Sequence, residues 1–336
     1  MKKNIFIVSL FFVLLSCKSQ KTTNFPLNNN LNWIKPSNLK KGDTVALLTP
    51  ASYLKDSINS VKNAIDTLKS WGLNYKLSKH IFDKKGHFAG DDKLRAADFQ
   101  EAIDNPNIKA IWCTRGGYGS VRMIDAINFK KLQENPKWII GYSDVTAIHN
   151  EIHNHGVQSI HGVMPVNFKK PSEKIKKAVK SLKNILFGIK NTYVIEGSTY
   201  NKKGKSQGIL VGGNLTLLHT MLGSKTSINT ENKILFIEDV GEKKYHIDRM
   251  LYSLKRAGYF KKCKGLIVGG FTAMKDENPP FAKNVEEIIL ALLSEYDFPI
   301  VFDFPAGHKI DNRALILGAK IKISVNKREV IIEFLD

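Results

Sequence analysis

Short apolar runs alternate with helical stripes through the first half of the chain. Ile58, Val61, Ile65 and Leu68 recur at intervals of three and four residues, which predicts a helix with one buried face that ends at Gly72. The same two patterns recur further along and predict strands at 44–48, 75–81, 108–112 and 138–140 and helices at 91–103 and 121–127. Strands that alternate with helices predict a mainly parallel sheet covered by helices.

A second series of elements begins near Gly208. The pattern predicts strands at 233–240, 265–271 and 299–304 and helices at 246–256 and 285–296. The tail, at 314–325 and 329–334, alternates apolar and polar positions, which predicts an antiparallel ribbon. The fold class is therefore α/β in two domains, which the length of 336 residues also favours.

The stretch between the two series is rich in lysine. It opens with Lys169-Lys170-Pro171, continues as a lysine-rich helical pattern and closes with Asn201-Lys202-Lys203-Gly204-Lys205. We interpret residues 169–205 as an interdomain linker between a first domain of residues 41–168 and a second of residues 206–336. A solvated face explains this run of charge better than a binding site does.

The N-terminus has the pattern of an export signal. A basic pair precedes an apolar run at residues 5–15, which is too short to span a membrane as a helix. The ending Leu14-Leu15-Ser16-Cys17 resembles the bacterial lipobox, which implies a signal peptide of residues 1–16 and a lipid on Cys17. An ordinary signal peptide with a chance cysteine is the alternative. With the lipid, residues 17–40 are a flexible tether, and we expect an exported protein anchored to a bacterial membrane and facing the periplasm.

Basic residues exceed acidic residues along the chain. The 51 lysines and arginines against 31 acidic residues give a formal net charge of +20, or +18 once Lys2 and Lys3 leave with the signal peptide. Such a surplus favours anionic partners, such as nucleic acid, anionic lipid or polyanionic cell-wall material. Because no nucleic-acid motif occurs, we interpret the surplus as solvated lysine-rich faces and expect no nucleic-acid partner.

Two cysteines remain besides Cys17. Cys113 and Cys263 both lie in apolar runs, where we expect them to be buried as small apolar residues with free thiols. A disulfide between them is the alternative in an oxidising compartment, and a single pair of cysteines does not establish it.

Ser143 stands at a predicted strand-to-helix junction. The apolar run from Trp138 to Ile140 ends a strand, Gly141 permits a sharp turn, and a helical stretch starts near Asp144. A serine held there exposes its hydroxyl beside the backbone N–H groups of a helix start, as in a nucleophile elbow. The second glycine of the G-x-S-x-G pattern is absent, so a serine or aspartate that caps the helix is the competing interpretation.

A serine nucleophile needs a base and a carboxylate that orients the base, and the second half of the chain offers both. His308 follows a predicted strand, from where it could reach a cleft or bind local backbone. Glu238 ends a buried apolar run, and a carboxylate at that end of a buried strand needs a partner. Asp239 and Glu242 are rivals for the same role.

A glycine-rich loop, Arg115-Gly116-Gly117-Tyr118-Gly119-Ser120, follows the strand that ends at Trp112. Its glycines let backbone N–H groups approach a ligand oxygen closely. Phosphate binding is one interpretation, but the loop fits neither G-x-G-x-x-G nor the ending of a P-loop. An oxyanion site suits a serine enzyme better.

Three histidines, His149, His153 and His155, follow Ser143 on the predicted helix. The first two are four residues apart, as in some zinc sites, but their order H-N-E-I-H differs from H-E-x-x-H. We therefore interpret them as surface histidines and predict neither a metal nor another cofactor.

Several short stretches between about residue 42 and residue 336 carry a family resemblance. They are Phe88-Ala89-Gly90-Asp91-Asp92, Arg95-Ala96-Ala97-Asp98, Thr114-Arg115-Gly116-Gly117-Tyr118-Gly119, Ile140-Gly141-Tyr142-Ser143-Asp144-Val145-Thr146, His161-Gly162-Val163-Met164, Gly212-Gly213-Asn214-Leu215, Leu235-Phe236-Ile237-Glu238-Asp239-Val240-Gly241-Glu242, Ile247-Asp248-Arg249-Met250-Leu251 and Gly307-His308. Together they resemble the LD-carboxypeptidase family, serine peptidase family S66, which includes the microcin C self-immunity proteins. Val163 departs from the proline expected there, and the lipobox is unusual for a family often found in the cytoplasm.

The resemblance implies a Ser-His-Glu triad, with Ser143 as nucleophile, His308 as base and Glu238 orienting His308. It also implies an oxyanion hole made of the backbone N–H groups of Gly117 and Asp144. The implied fold is a Rossmann-like N-terminal domain and a C-terminal domain that contains a small β-barrel, with the site between them.

The activity implied by the resemblance is cleavage of an L,D peptide bond that releases terminal D-alanine from a murein tetrapeptide, in cell-wall recycling or remodelling. The partner is then a muropeptide substrate, and a homodimer is a further expectation because the family often dimerises. Two alternatives stay open. One is a microcin-immunity-like hydrolase of peptidyl or aminoacyl nucleotides, and the other is a non-catalytic lipoprotein that binds muropeptides.

Overall fold

Two sheets with helices packed against them make up the computed structural model, which describes residues 33–169, 172–275 and 278–335. The predicted signal peptide, Cys17 and most of the predicted tether lie outside these residues. The strands are β1 (Thr44–Leu48), β2 (Asn74–Leu77), β3 (Ile108–Cys113), β4 (Trp138–Gly141), β5 (Ser159–His161), β6 (Thr192–Glu196), β7 (Gly204–Asn214), β8 (Lys233–Val240), β9 (Gly265–Thr272), β10 (Ile300–Val301), β11 (Leu315–Leu317), β12 (Lys320–Val325) and β13 (Glu329–Phe334).

Most of the helices pack against the sheets through one apolar face. They are α1 (Asn59–Ser70), α2 (Asp92–Asp104), α3 (Lys131–Glu134), α4 (Thr146–Asn154), α5 (Glu173–Leu186), α6 (Leu215–Thr220), α7 (Lys244–Arg256) and α8 (Val285–Leu292). Within the described ranges, none of the helices combines the length and the apolar character that crossing a membrane requires.

The first sheet has the strand order β11-β5-β4-β3-β1-β2. Strands β1 to β5 are parallel, and β11 pairs with β5 in the antiparallel direction. The order β2-β1-β3-β4-β5 is that of a doubly wound sheet, in which ligands bind at the carboxyl ends of the strands where the order reverses. The predicted parallel, helix-covered sheet is confirmed.

The side chains of β1 show how this sheet is buried on both faces. Val45 and Leu47 join an apolar cluster with α1 and α5, whereas Ala46 and Leu48 join another with α2 and α4. Successive residues of a strand point to opposite faces, so a strand covered on both sides reads as a continuous apolar run.

The second sheet has the order β10-β9-β8-β7-β12-β13-β6. Its β10, β9, β8 and β7 are parallel, and β7, β12, β13 and β6 pair in the antiparallel direction. The antiparallel part confirms the predicted ribbon in the tail. Because β10 and β6 are the edges, the described pairings form an open sheet and do not confirm the small β-barrel that the resemblance implies.

The stretch predicted as an interdomain linker contains regular structure. It includes α5, whose apolar stripe of Ile175, Ala178 and Leu182 is buried in the core, and β6, which pairs with β13. The helix predicted at 121–127 is instead two short 3-10 turns, Ser120–Arg122 and Ile124–Ala126. The strands β5, β6 and β7 were not predicted, because their sequences are short, exposed on one side or interrupted by glycine.

A strand and an apolar cluster connect the two sheets. β11 comes from the C-terminal tail and completes the first sheet, although the strands on either side of it along the chain belong to the second sheet. One apolar cluster runs from α1 and α5 into β8, β9, β12 and β13. This continuous core fixes the carboxyl ends of β4 and β8 relative to each other.

Cys113 and Cys263, the two cysteines among the described residues, are confirmed as buried free thiols. Cys113 lies on β3 and Cys263 precedes β9, and neither forms a disulfide.

Candidate active site

Ser143 lies on a sharp turn between β4 and α4. Its φ of +64° is in the left-handed region, which costs energy for a residue with a side chain and is found mostly at functional sites. Gly141 makes the turn possible, because a Cβ there would lie 2.9 Å from both methyl groups of Val145. The Ser143 side chain caps no helix, so the competing interpretation of a serine cap is wrong.

The Ser143 hydroxyl meets His308 and Glu238 in a hydrogen-bonded chain. Ser143 Oγ is 3.1 Å from His308 Nε2, and His308 Nδ1 is 2.6 Å from Glu238 Oε2. The backbone N–H of His308 also donates to Glu238 Oε2, at 3.1 Å. Three residues that are far apart in the sequence therefore come together at the carboxyl ends of β4, β8 and β10.

The hydrogen bonds define how the His308 ring is protonated. Glu238 is fully buried and accepts from Nδ1, so the neutral imidazole carries its proton there and leaves Nε2 free to accept from Ser143. Burial of the imidazole opposes its charged form, but the hydrogen bond and the negative charge of Glu238 outweigh it, and the pKa of His308 is raised.

A glycine lets Glu238 bind both the ring and the backbone of His308. Gly307 has a φ of +93°, and a Cβ there would lie 2.6 Å from Glu238 Oε2. Its backbone N–H is held by Asn312 Oδ1 at 2.8 Å. The loop after β10 therefore presents His308 directly above the end of β8.

The two rival carboxylates have other partners. Asp239 accepts hydrogen bonds from Asn214 Nδ2 at 3.0 Å and from Thr216 Oγ1 at 2.8 Å. Burial and the charge of Glu238 raise the pKa of Asp239 to about 6. Glu242 Oε2 lies 2.8 Å from His246 Nδ1. Of the three candidates, the structure brings only Glu238 to His308.

The glycine-rich loop passes directly beside the Ser143 turn. A Cβ on Gly116 would lie 3.1 Å from Ser143 Cβ and 3.4 Å from the backbone nitrogen of Asp144. Gly117 has a φ of +105° and no space for a side chain, because its Cβ would lie 2.2 Å from Ser52 Oγ. The loop thus brings bare backbone to the side of Ser143, as an anion-binding loop requires.

Asp144 links the turn to this loop through its side chain. Its buried carboxylate accepts from the backbone N–H of Ser120 at 2.8 Å. Burial raises the pKa of Asp144, and the hydrogen bonds from Ser120 act in the opposite direction. The side chain of Asp144 is therefore structural, which leaves its backbone N–H as the group that can act at the site.

His149 and His153 on α4 are buried, so their interpretation as surface residues is wrong. His149 is fully buried, lies 3.0 Å from the carbonyl of Gly141 through Nε2, and has its pKa lowered to about 4 by burial. His153 is 3.2 Å from Ser159 Oγ, and burial lowers its pKa well below the ordinary value. They occupy the inner face of α4 because that helix is covered by both domains. Among the described residues, no three His, Cys, Asp or Glu side chains are grouped as metal ligands.

Two residues beside the glycine-rich loop, Ser52 and His87, were not predicted from the sequence. Ser52, which follows β1, has its hydroxyl 2.7 Å from His87 Nε2 and accepts from the backbone N–H of Tyr118 at 3.3 Å. A buried serine and an exposed histidine 35 residues apart carry no local pattern that predicts their contact.

Two family models together match more than half of the chain. One described as the LD-carboxypeptidase N-terminal domain matches residues 45–162, and one described as the LD-carboxypeptidase C-terminal domain matches residues 207–323. A Bacillus subtilis protein described as "Probable murein peptide carboxypeptidase" is 34% identical over 307 residues, which are 90% of this chain and 95% of that protein.

Solved structures give the same likeness in three dimensions. A muramoyltetrapeptide carboxypeptidase from Oxalobacter formigenes superposes with a TM-score of 0.79 at 27% identity, covering 87% of this chain and 99% of that one. An MccF-like protein from Bacillus anthracis has a TM-score of 0.79 at 24% identity, covering 90% and 99%. At that identity the second likeness shows the fold alone.

Proposed function

The chain belongs to the LD-carboxypeptidase family, and we propose that it is a serine carboxypeptidase that cleaves an L,D peptide bond and releases terminal D-alanine from murein tetrapeptides. The observation that carries the proposal is the hydrogen-bonded chain from Ser143 through His308 to Glu238. The names of the Bacillus subtilis relative and of the Oxalobacter formigenes structure support a murein peptide as the substrate.

In the proposed reaction Ser143 is the nucleophile and His308 the general base. Ser143 Oγ attacks the scissile carbonyl carbon while its proton passes to His308 Nε2, 3.1 Å away. His308 then gives this proton to the nitrogen of the departing D-alanine, which leaves an ester on Ser143. A water then attacks the ester while its proton passes to His308, and His308 returns that proton to Ser143 Oγ as the shortened peptide leaves.

Glu238 keeps His308 in the tautomer that this sequence needs. Because the carboxylate holds the proton on Nδ1, Nε2 is available to accept from Ser143. The same carboxylate stabilises the imidazolium that forms after the proton transfer, and this stabilisation is strong because Glu238 is fully buried.

The oxyanion hole in this proposal consists of the backbone N–H groups of Gly117 and Asp144. The close approach of Gly116 to Ser143 and to the backbone nitrogen of Asp144 supports it, since Gly117 follows directly. Two fixed backbone donors stabilise the charge that develops on the carbonyl oxygen, and removing one such donor costs about 10²–10³ in kcat in a serine protease.

Incubation of the purified protein with two substrate classes tests this function. We expect a murein tetrapeptide to yield a tripeptide and free D-alanine, while a peptidyl nucleotide analogue stays intact. Cleavage of the nucleotide analogue alone would support the microcin-immunity-like alternative. Tight binding of the tetrapeptide without cleavage would support the non-catalytic lipoprotein.

A lipid on Cys17 completes the proposal for the exported protein, and the lipobox-like ending Leu14-Leu15-Ser16-Cys17 supports it. The described chain starts at the end of the first sheet opposite to Ser143. There the backbone of Ile34 bonds to Gly156 at 2.7 Å and to Gln158 at 2.9 Å, just before β5. Residues 17–33 can span at most roughly 60 Å, so the lipid would hold the protein near the membrane through the end of the first sheet that lies opposite to the cleft, and the protein would face the periplasm.

A further inference from the structure

Four of the five residues from Gly116 to Ser120 are held through their backbones. Ser52 N–H donates to the carbonyl of Gly116 at 3.2 Å, and Ser52 Oγ accepts from Tyr118 N–H at 3.3 Å. Arg95 donates to the carbonyl of Gly119 at 3.3 Å, and Ser120 N–H donates to Asp144. Of residues 116–120, Gly117 is the one whose backbone makes no hydrogen bond within the described part of the chain.

The two bonds from Ser52 fix the orientation of Gly117. The carbonyl of Gly116 and the N–H of Gly117 belong to one planar trans peptide and point in opposite directions. Because Ser52 N–H binds that carbonyl, the Gly117 N–H is directed away from Ser52. The next peptide is held as well, since its N–H, that of Tyr118, donates to the Ser52 hydroxyl.

His87 determines how the Ser52 hydroxyl is used. Ser52 is 1% exposed, so its hydroxyl has no access to solvent and needs partners within the protein. It accepts from Tyr118 N–H, and its own proton can then be donated to His87 Nε2 at 2.7 Å. His87 is exposed and lies on a loop whose Phe88 ring packs against Tyr118.

We propose that Ser52, held by His87, is a positioning residue that aims the Gly117 N–H at the oxyanion. This inference rests on the proposed function, because it needs an oxyanion hole at Gly117. Ser52 touches neither the substrate nor Ser143 in this proposal and acts through the loop backbone. The effect belongs to the transition state, because the oxyanion forms only there.

Steady-state kinetics on a murein tetrapeptide test the proposal. We expect Ser52→Ala to lower kcat about 10- to 100-fold with KM within about twofold, because a misaimed oxyanion donor weakens binding of the transition state alone. His87→Ala should lower kcat less, about 3- to 10-fold, and His87→Gln should restore most of it because an amide can bond to the Ser52 hydroxyl. Since His87 is exposed, both of its variants should fold.

Ser159→Ala is the matched control. Ser159 is also a buried serine that bonds to a histidine, with 3.2 Å between its Oγ and His153 Nε2, and it lies at the opposite end of the sheet. Thermal unfolding should show similar losses of stability in Ser52→Ala and Ser159→Ala, with kcat unchanged in the control. Equal kcat in Ser52→Ala and the wild type, a change in KM alone, or no difference between the two His87 variants would overturn the inference. A wild type that releases no D-alanine would overturn the proposed function and, with it, this inference.

Discussion

At the scale of single residues, the charge of one buried carboxylate sets the state of the proposed base. Glu238 has no exposed surface and binds His308 through both the ring and the backbone. Its second oxygen, Oε1, has no hydrogen-bond partner within the described chain. Such a carboxylate is costly to bury, and His308 is the group that compensates for that cost.

This arrangement predicts the pH dependence of catalysis. His308 must be neutral to accept the proton of Ser143, and its pKa is raised above the ordinary value of 6.5. Activity should therefore rise with pH through this raised pKa. Glu238→Gln removes the charge, so the acid limb of kcat/KM should move to lower pH while its plateau falls about 10²–10⁴-fold. Measuring kcat/KM from pH 4 to pH 9 checks both changes.

The control for this variant is Glu242→Gln, which breaks another contact between a glutamate and a histidine at 2.8 Å. Its acid limb should coincide with that of the wild type. An acid limb that does not move in Glu238→Gln would show that Glu238 is not what sets the pKa of the base.

The identity of the site residues was predicted largely through the resemblance. The local sequence pattern did not distinguish a nucleophile from a helix cap at Ser143. It also did not decide which of Glu238, Asp239 and Glu242 orients the base. The distinction lies in contacts over long sequence separations, such as the 165 residues between Ser143 and His308. Ser52 and His87 could not be predicted, because Ser52 bonds to the backbone of a distant loop and His87 bonds to Ser52, which lies 35 residues away in the sequence.

At the scale of elements, the turn from β4 to α4 is the part of the fold that the site depends on. Gly141 supplies space where Val145 folds back, and the left-handed backbone at Ser143 lifts the hydroxyl out of the strand. Since the surrounding core is close-packed, neither the turn nor α4 can shift to accept a larger residue at Gly141.

Gly141→Ala should therefore destabilise the protein. The added methyl would lie 2.9 Å from both methyl groups of Val145, and overpacking of this kind costs about 1–3 kcal/mol. Urea unfolding measures the change. Gly162→Ala is the control, because a Cβ there meets Ala314 at an ordinary 3.4 Å and should cost less. Equal unfolding midpoints for the two variants would contradict this account of the turn.

Elements whose apolar residues recur at a regular spacing or form a continuous run were predicted well. The buried face of α1 formed by Val61, Ile65 and Leu68, the apolar runs of β3, β4 and β8, and the alternation of β12 and β13 appear where the pattern places them. Ile58, which the predicted stripe included, lies just before α1 and is exposed. Elements that depend on tertiary contacts were missed, such as the edge strand β6 and the three-residue strand β5. The predicted linker contains α5, whose lysines occupy its exposed face while the other face is buried, and β6, which has no lysine and pairs with β13.

At the scale of the whole molecule, the site needs both halves of the chain. Ser143 and the glycine-rich loop follow strands of the first sheet. Glu238 lies on β8 of the second sheet, and His308 lies on the loop after β10. The contact between halves is close, since a Cβ on Gly213 would lie 2.6 Å from Thr146 Oγ1, which also accepts from Asn214 N–H at 3.0 Å. The crossing of β11 into the first sheet could not be predicted from sequence, because its pattern equals that of any short buried strand.

The proposed membrane anchor is a separate property of the whole chain. Metabolic labelling with an alkyne fatty acid in a bacterial host should label the full-length protein, because acylation needs only the Cys17 thiol after export. Cys17→Ala should lose the label, and Cys113→Ala should keep it because that thiol is buried in β3. Labelling of Cys17→Ala would contradict the anchor.

We propose Ser143 as the nucleophile of an L,D-carboxypeptidase. The most direct test of this proposal is the rate of D-alanine release from a murein tetrapeptide by equal amounts of the wild type and Ser143→Ala, followed by mass spectrometry. We expect a tripeptide and D-alanine in equal amounts with the wild type, and a rate at least about 10⁴-fold lower with Ser143→Ala. Equal rates for the two proteins would contradict it.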